Sequence, residues 1–165
     1  MKKYAGVGSR SCPLEMLDEI KHIGQVLAEA GWLLRSGNAD GCDLAFEQGC
    51  DLGKGLKEIY LPWKGFNNST SPLYTPSQDA FVLASTIHPA WDKLSFGAKK
   101  LHARNCHQVL GIEFDDPISC IIAWTKNGKQ VGGTATALKL AQKHGIKIIN
   151  LAIEKFDYNL INKDK

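Results

Sequence analysis

Long hydrophobic runs are missing from this sequence. No segment approaches the ~20 consecutive apolar residues that a membrane-spanning helix needs. The N-terminal Met-Lys-Lys-Tyr leads directly into a short strand-like segment, and no secretory apolar region follows it. We therefore expect a cytoplasmic protein that makes no contact with membranes.

Cysteines are few, and their spacing shows no paired motif. The five cysteines are an odd number with irregular spacing, and no Cys-x-x-Cys pair occurs. This argues against a disulfide framework and fits reduced thiols in the cytoplasm. A zinc site would have to start from His102 and Cys106, one helical turn apart, without a second cysteine pair to complete it. We predict no metal and no cofactor.

A strong excess of one charge is also absent. The chain carries 20 basic and 17 acidic residues, for a net charge of +3, which is weaker than the imbalance of a dedicated nucleic-acid binder. Its 165 residues, 44% of them hydrophobic, suffice for one domain with a real core. We place this domain at residues 1–152 and a short polar tail at residues 153–165.

Hydrophobic periodicity predicts alternating strands and helices. Strands are expected at residues 3–7, 32–35, 58–61, 118–124 and 146–151. Helices are expected at 13–30, from 40 or 41 onward, and at 77–86, 97–110 and 134–144. Such alternation indicates an α/β protein with an open, mostly parallel sheet and helices on both faces. Residues 63–75 break the rhythm with a polar, turn-rich loop.

Three glycine-rich turns are the most informative feature that is present. They occupy residues 6–10, 36–41 and 132–136, and each follows an apolar run and precedes a helical pattern. Turns of this kind can offer backbone N–H groups to an anion, most often a phosphate. Because the carboxyl ends of parallel strands share one edge of the sheet, we expect the three turns to meet there and form a nucleotide-type pocket.

The first turn offers Gly8, Ser9 and Arg10 as ligand-binding residues. Glycine lets the backbone approach a ligand, and the planar fork of arginine suits phosphate or carboxylate. A tight turn with an exposed arginine explains the same residues equally well. The pattern is not Gly-x-Gly-x-x-Gly, since position 11 is serine, so it does not support a standard dinucleotide fingerprint.

The second turn adds Ser36, Gly37 and Asn38 to the candidate binding residues. Asp43 and Glu47 follow four residues apart on the next helix, where they would project along the same face. Such a pair could bind ribose hydroxyls or act as acid and base, so both are candidate catalytic residues. Alternatively, Asp43 simply favours the helix macrodipole.

The third turn is the strongest of the three. Thr125 ends the most apolar strand, and Gly132, Gly133 and Thr134 lead into a helix. Free N–H groups at this helix start, with the nearby hydroxyls, would form a phosphate cradle without a lysine. An exposed loop with a threonine cap is the plain alternative.

Arg104 and Asn105 lie on the predicted helix at residues 97–110. Both side chains are costly to bury without partners, so they either face solvent or line a polar site. We include both among the candidate ligand-binding residues.

Residues 6–10, 35–47, 103–105 and 132–137 resemble the SLOG superfamily of Rossmann-like domains. This superfamily includes the DNA-processing protein A domain and the LOG phosphoribohydrolases, and the chain is most similar to stand-alone DprA-like proteins, many of them phage-encoded. The resemblance implies a Rossmann-like three-layer α/β/α fold and homo-oligomers formed through helices around the pocket. It also implies a nucleotide-type ligand held by the candidate residues of the three turns.

One departure from the family pattern bears on activity. LOG hydrolases carry Gly-Gly-x-Gly-Thr-x-x-Glu, but here Ala135 replaces the third glycine and Lys139 replaces the glutamate. We therefore favour a binding protein for a nucleotide or a nucleotide-derived phosphorylated ligand. A nucleotide N-glycosidase that uses Glu47 or Asp43 is the first alternative. A single-stranded-DNA-binding accessory protein is the second, although the basic residues are scattered rather than arranged as a groove.

Overall fold

The computed structural model describes residues 1–162 of the chain. Most of the predicted tail at residues 153–165 falls within this range, but residues 163–165 lie outside the described residues. Phe156 of the tail is buried against the core, and Tyr158–Asn162 form a 3-10 turn. Within residues 1–162, no helix combines the length and the apolar character that crossing a membrane requires.

Five parallel strands form one sheet. They are β1 (Lys3–Gly8), β2 (Leu33–Ser36), β3 (Lys57–Ile59), β4 (Cys120–Trp124) and β5 (Lys147–Asn150). Their order is β3-β2-β1-β4-β5, and every neighbouring pair is parallel. The predicted open parallel sheet is therefore confirmed, and its most apolar strand, β4, lies beside β1 in the interior.

Five α-helices cover the two faces of this sheet. They are α1 (Leu14–Glu29), α2 (Cys42–Leu52), α3 (Gln78–Ile87), α4 (Phe96–Leu110) and α5 (Ala135–Lys143). Ser77 and Ser95 cap α3 and α4, since their hydroxyls accept the N–H groups of Ala80 and Ala98. The result is the three-layer α/β/α arrangement that the sequence predicts.

Successive residues of β1 and β4 feed two separate cores. Tyr4 and Ile122 pack with α1 and α2 on one face, whereas Ala5 and Ile121 pack with α3, α4 and α5 on the other. A strand buried on both faces must be apolar throughout, which explains the uninterrupted apolar run of β4. The crossovers from β1 and β4 leave on opposite faces, so a crevice opens between their carboxyl ends.

The end of β3 differs from the predicted strand at residues 58–61. The strand stops at Ile59, and Leu61 pairs with the returning loop: its N–H donates to the carbonyl of Leu73 at 2.8 Å. An isolated parallel bridge joins Leu61 to Tyr74. The predicted turn-rich loop thus folds back onto the sheet edge and forms a wall beside α4.

A fully buried arginine ties this edge together. Arg35 in β2 is only 1% exposed, and its Nε donates to Glu58 Oε1 at 2.9 Å. Its Nη2 donates to Asp116 Oδ2 at 2.7 Å, and Asp116 also pairs with Lys3. The hydrogen bond from Lys3, helped by Arg35, holds the pKa of Asp116 below its usual value. This network fixes the segment after α4 against β2 and β3.

Candidate functional site

A cleft of about 400 Å³ lies at the carboxyl ends of β1 and β4. The turn after β1, the start of α2, one face of α4 and the two turns between β4 and α5 form its walls. This is the point at which the strand order reverses, the place where open α/β sheets bind ligands.

Most of the predicted ligand-binding residues line this cleft. They are Gly8, Ser9, Arg10, Asp43, Arg104, Asn105, Thr125, Gly132, Gly133 and Thr134. Sequence reasoning missed Val7, Ala39, Leu101, Gln108, Lys126 and Val131. Helical spacing from Arg104 could have indicated Leu101 and Gln108, and Lys126 directly follows Thr125.

Three predicted residues of the second turn lie behind the cleft rather than in it. Ser36 donates its hydroxyl to the carbonyl of Gly6 at 2.6 Å, and the carbonyl of Gly37 accepts from Arg104 Nη1 at 2.8 Å. Asn38 donates its amide to the carbonyls of Phe66 and Asn67 at 3.3 and 3.2 Å. These contacts hold the turn and the neighbouring loop in place.

The structure does not bring Glu47 to the cleft. Its carboxylate pairs with Lys57 at 2.9 Å, and Lys57 begins β3 at the opposite edge of the sheet. Four residues along a helix advance the chain by about 6 Å, and α2 runs away from the cleft. Asp43 and Glu47 therefore do not face one ligand together as the spacing predicted.

Asp43 is buried beneath the first two turns. The N–H of Ala39 donates to its Oδ2 at 3.4 Å, and the backbone amides of Gly8 and Gly37 also favour the charged form of this carboxylate. Burial raises the pKa of Asp43 to about 6, although Arg104 and these amides act to lower it.

Two N–H groups of the first two turns are used inside the protein. The N–H of Ser9 donates to the carbonyl of Trp124 at 3.0 Å, and the N–H of Ala39 donates to Asp43. These two amides are therefore not free for an anion, in contrast to the expectation for all three turns. The exposed side chain of Arg10 is the main contribution of these turns to the cleft.

Arg104 forms the floor between the second turn and the end of β3. Its Nη1 donates to the carbonyls of Gly37 and Tyr60 at 2.8 and 2.9 Å. Burial, together with the charge of Arg10, lowers its pKa to about 10, although Asp43 acts to raise it. The guanidinium stays charged at neutral pH and faces a second cation across the cleft.

Two buried polar atoms at this floor lack a hydrogen-bond partner within residues 1–162. They are Nε of Arg104 and Oε1 of Gln108, and both residues line the cleft. Buried polar groups in native proteins are nearly always paired with protein, water or ligand. The floor of the cleft therefore has an unused donor and an unused acceptor.

The third turn differs from the other two because its backbone is open. A methyl group on Gly133 would meet no protein atom within 4 Å, and the same holds for Gly132. Among residues 1–162, no acceptor pairs with the N–H of either glycine. Asn105 fixes the turn by donating its amide to the carbonyl of Gly133 at 2.6 Å. These donors lie at the N-terminal end of α5, where anions are stabilised.

The charges around the cleft favour an anion. Arg10 and Lys126 are exposed at its rim, Arg104 lies at its floor, and among residues 1–162 Asp43 is the single acidic residue that lines it. The hydroxyl of Thr125 is held by Asn150, whose Nδ2 donates to Thr125 Oγ1 at 2.8 Å. This hydrogen bond fixes the end of β4, from which the third turn begins.

Within residues 1–162, no group of three or more His, Cys, Asp and Glu side chains is arranged to hold a metal ion. His102 instead shares a hydrogen bond of 2.7 Å with the hydroxyl of Thr136. All five cysteines are free and buried.

No protein-family model matches the sequence, and no curated protein sequence matches it either. Among solved structures, the chain is similar to the structural-genomics target TM1055, with a TM-score of 0.56 and 17% identity over 98% of this chain and 89% of that one. It also resembles the DNA processing protein A (DprA) of Streptococcus pneumoniae, with a TM-score of 0.47 and 19% identity over 94% of this chain and 62% of that one.

The third structural neighbour is the molybdenum cofactor carrier protein of Chlamydomonas reinhardtii, with a TM-score of 0.42 and 15% identity over 91% of this chain and 89% of that one. At these identities the likeness speaks to fold, and only the match to TM1055 is close enough to carry that argument. It confirms the expected fold, a Rossmann-like three-layer α/β/α arrangement.

Proposed function

We propose that this chain binds a small phosphorylated ligand of the nucleotide type in the cleft between β1 and β4. The observation that carries the proposal is the open turn at Gly132 and Gly133, whose N–H groups have no partner among residues 1–162. The φ of +74° at Gly132 favours glycine by itself, but neither packing nor backbone conformation requires glycine at position 133. A phosphate placed there would accept these N–H groups at the start of α5.

The remaining charges act on the same phosphate. Arg10 lies across the cleft from this turn and can donate two parallel hydrogen bonds to phosphate oxygens. Its charge lowers the pKa of Arg104, which means that the two cations destabilise each other when the cleft is empty. An anion bound between them relieves this repulsion, and this relief makes the free energy of ligand binding more favourable.

The size and lining of the cleft favour a small molecule over single-stranded DNA. A volume of about 400 Å³ lies within the range of roughly 300–1,000 Å³ for small-molecule sites. Non-specific binding of single strands uses aromatic stacking platforms along a basic groove. The described residues that line this cleft include no aromatic side chain.

An N-glycosidase is the second candidate function, and Asp43 is the observation that favours it. Asp43 is the only carboxylate of the described residues that lines the cleft, and its pKa of about 6 places its titration near neutral pH, where a general acid or base works well. Its amide contacts hold it firmly, so it would exchange a proton without moving.

Calorimetric titration of the purified protein with matched pairs of ligands tests the proposal. Each nucleoside 5′-monophosphate is compared with its nucleoside, and we expect the phosphorylated member to bind at least tenfold more tightly. Inorganic phosphate should compete with it. Equal affinity within every pair would contradict the proposal, since the anion cradle would then contribute nothing.

The same samples separate binding from catalysis. Chromatography after incubation with nucleoside monophosphates detects any free base. We expect none from a pure binding protein. Steady base release that Asp43→Asn abolishes would replace the first candidate function with the second.

A further inference from the structure

A second cavity, of about 270 Å³, lies on the other side of Arg104 from the cleft. Its walls are the end of β3, the returning segment at residues 72–77, α4 and the turn at residues 112–114. We propose that this cavity is a second ligand site, which takes a small planar aromatic ring bearing amino groups. The proposal goes beyond the anion site and does not depend on it.

Aromatic rings form the deep wall of this cavity. Tyr60 and His107 are stacked with their centroids 5.7 Å apart and their planes 18° from parallel. Phe114 packs against the same histidine, with ring centroids 5.2 Å apart and planes 36° from parallel. Tyr60 and His107 are almost fully buried, so they hold the wall in place, and the accessible rings are those of Phe114 and Tyr74, which also line the cavity. A planar ring of the ligand can stack on these accessible rings.

Hydrogen bonds at their polar ends lock the first two rings. The hydroxyl of Tyr60 donates to Glu58 Oε1 at 2.8 Å. His107 Nε2 accepts the N–H of Ser77 at 3.2 Å, so Nδ1 carries the proton and donates to the carbonyl of Gly111 at 3.1 Å. Burial lowers the pKa of His107, which keeps the ring neutral.

Two carboxylates at the mouth of the cavity supply the polar part of the site. Asp79 and Glu113 both line it and are exposed. Within residues 1–162, neither side chain makes a hydrogen bond or an ion pair. Carboxylates only accept hydrogen bonds, so their natural partners are N–H groups. A ring that stacks inside and carries amino groups toward the mouth satisfies both parts of the cavity.

Backbone strain is concentrated around the same cavity. Thr75 has a φ of +65° and Phe114 a φ of +60°, and both residues line it. The other non-glycine residues with positive φ are four asparagines and a lysine. The left-handed region is especially unfavourable for β-branched and bulky residues. Strain of this kind persists where the surrounding structure imposes it, and it clusters at ligand sites.

Arg104 separates this cavity from the anion cleft. Its side chain lines both spaces. Its Nη1 donates to the carbonyls of Gly37 and Tyr60, and these hydrogen bonds fix the guanidinium in place. The two ligands therefore occupy different volumes with a shared wall.

Fluorescence of 2-aminopurine, a planar heterocycle with one amino group, tests the proposal on the full chain. Stacking on the accessible rings of Phe114 and Tyr74 quenches this probe, so we expect saturable quenching. Ile112 lines the cavity and is 55% exposed, so Ile112→Trp fills the mouth without touching the core. We expect this variant to bind at least tenfold more weakly. Val82→Trp, at an equally exposed position on α3 outside the cavity, is the matched control and should bind as the parent does.

The carboxylates are tested separately. The double variant Asp79→Asn with Glu113→Gln should weaken probe binding about tenfold, because two charged acceptors become neutral. Glu15→Gln with Asp18→Asn, an exposed pair on α1, is the control for the change in net charge. Benzoate, a planar ring with a carboxylate in place of the amine, should not displace the probe.

Three results would overturn the proposal. One is the absence of saturable quenching by the parent protein. Another is equal weakening by Ile112→Trp and Val82→Trp, which would show that the cavity is not the site. The third is full displacement of the probe by inorganic phosphate, which would place it in the anion cleft.

Discussion

On one side of the cleft, the turns after β1 and β2 contain glycine where any side chain would collide with the protein. On the other side, the turn before α5 contains glycine where a side chain would meet nothing. A methyl group on Gly37 would lie 2.4 Å from Arg104 Nη1, and one on Gly41 would lie 2.6 Å from the carbonyl oxygen of Ser9. A methyl group on Gly133 has no neighbour within 4 Å.

This difference separates two causes of the same sequence pattern. In the first two turns, glycine permits tight packing near Asp43, and the N–H groups of Ser9 and Ala39 are bonded to Trp124 and Asp43. In the third turn, glycine leaves an accessible backbone whose donors are unpaired. Because neither packing nor a positive φ requires glycine at position 133, we infer that something outside the protein approaches Gly133 closely. The predictions below test the two halves of this comparison.

The largest effect should come from Gly41→Ala. Gly41 has a φ of +84°, and the added methyl group would collide with backbone rather than with a flexible side chain. Strain in the left-handed region and overpacking together should lower the free energy of unfolding by about 3 kcal/mol. Urea denaturation at neutral pH measures it. A loss below about 1 kcal/mol would mean that the packing around Gly41 is less tight than the structure indicates.

Asp43 should make the free energy of unfolding depend on pH with the sign opposite to that of most carboxylates. Its pKa in the folded protein, about 6, lies above its value of 3.8 in the unfolded chain, so the native state binds more protons between these values. The contribution of Asp43 to the free energy of unfolding should therefore fall by about 2 kcal/mol as pH rises from 4 to 6.

Denaturation of the parent and of Asp43→Asn across this pH range isolates the contribution. The difference between the two stability curves should change over that window and be level above it. A difference curve that rises with pH instead would show that the amides and Arg104 outweigh the burial of Asp43.

Arg10→Gln should affect binding alone. Arg10 is exposed and makes no hydrogen bond or ion pair within the described part of the chain, so its loss should change the free energy of unfolding by less than about 0.5 kcal/mol. Phosphate affinity should fall about tenfold, because one charged donor is removed. Calorimetry and thermal denaturation on the same preparation measure both. Unchanged affinity would place the anion elsewhere.

The sequence carries most of the fold. Apolar periodicity predicts every strand and helix to within a few residues, and parallel pairing then brings the turn after β1 and the turn before α5 to one edge of the sheet. The limits of prediction lie in long-range partners. Nothing local indicates that Arg35 is buried between Glu58 and Asp116. Nor does the local sequence indicate that Leu61, which follows β3, pairs with Leu73.

The candidate site was harder to predict than the fold for two physical reasons. Helical spacing places Glu47 near Asp43, but it does not reveal that α2 carries Glu47 away from the cleft toward Lys57. A glycine pattern also cannot distinguish a turn whose amides are free from one whose amides bind a buried carboxylate. That distinction depends on where Asp43 lies relative to Gly8 and Gly37, which only the folded chain defines.

Gly133→Ala tests the central claim most directly. Gly97→Ala is the matched control, since its methyl group would also be unhindered, with the nearest atom 4.0 Å away, and it lies outside the cleft. Phosphate affinity is measured by calorimetry and stability by thermal denaturation. The account predicts that both variants keep the parent's stability to within about 1 kcal/mol and that Gly133→Ala alone binds at least tenfold more weakly. A folded Gly133→Ala protein that binds phosphate as tightly as the parent would contradict it.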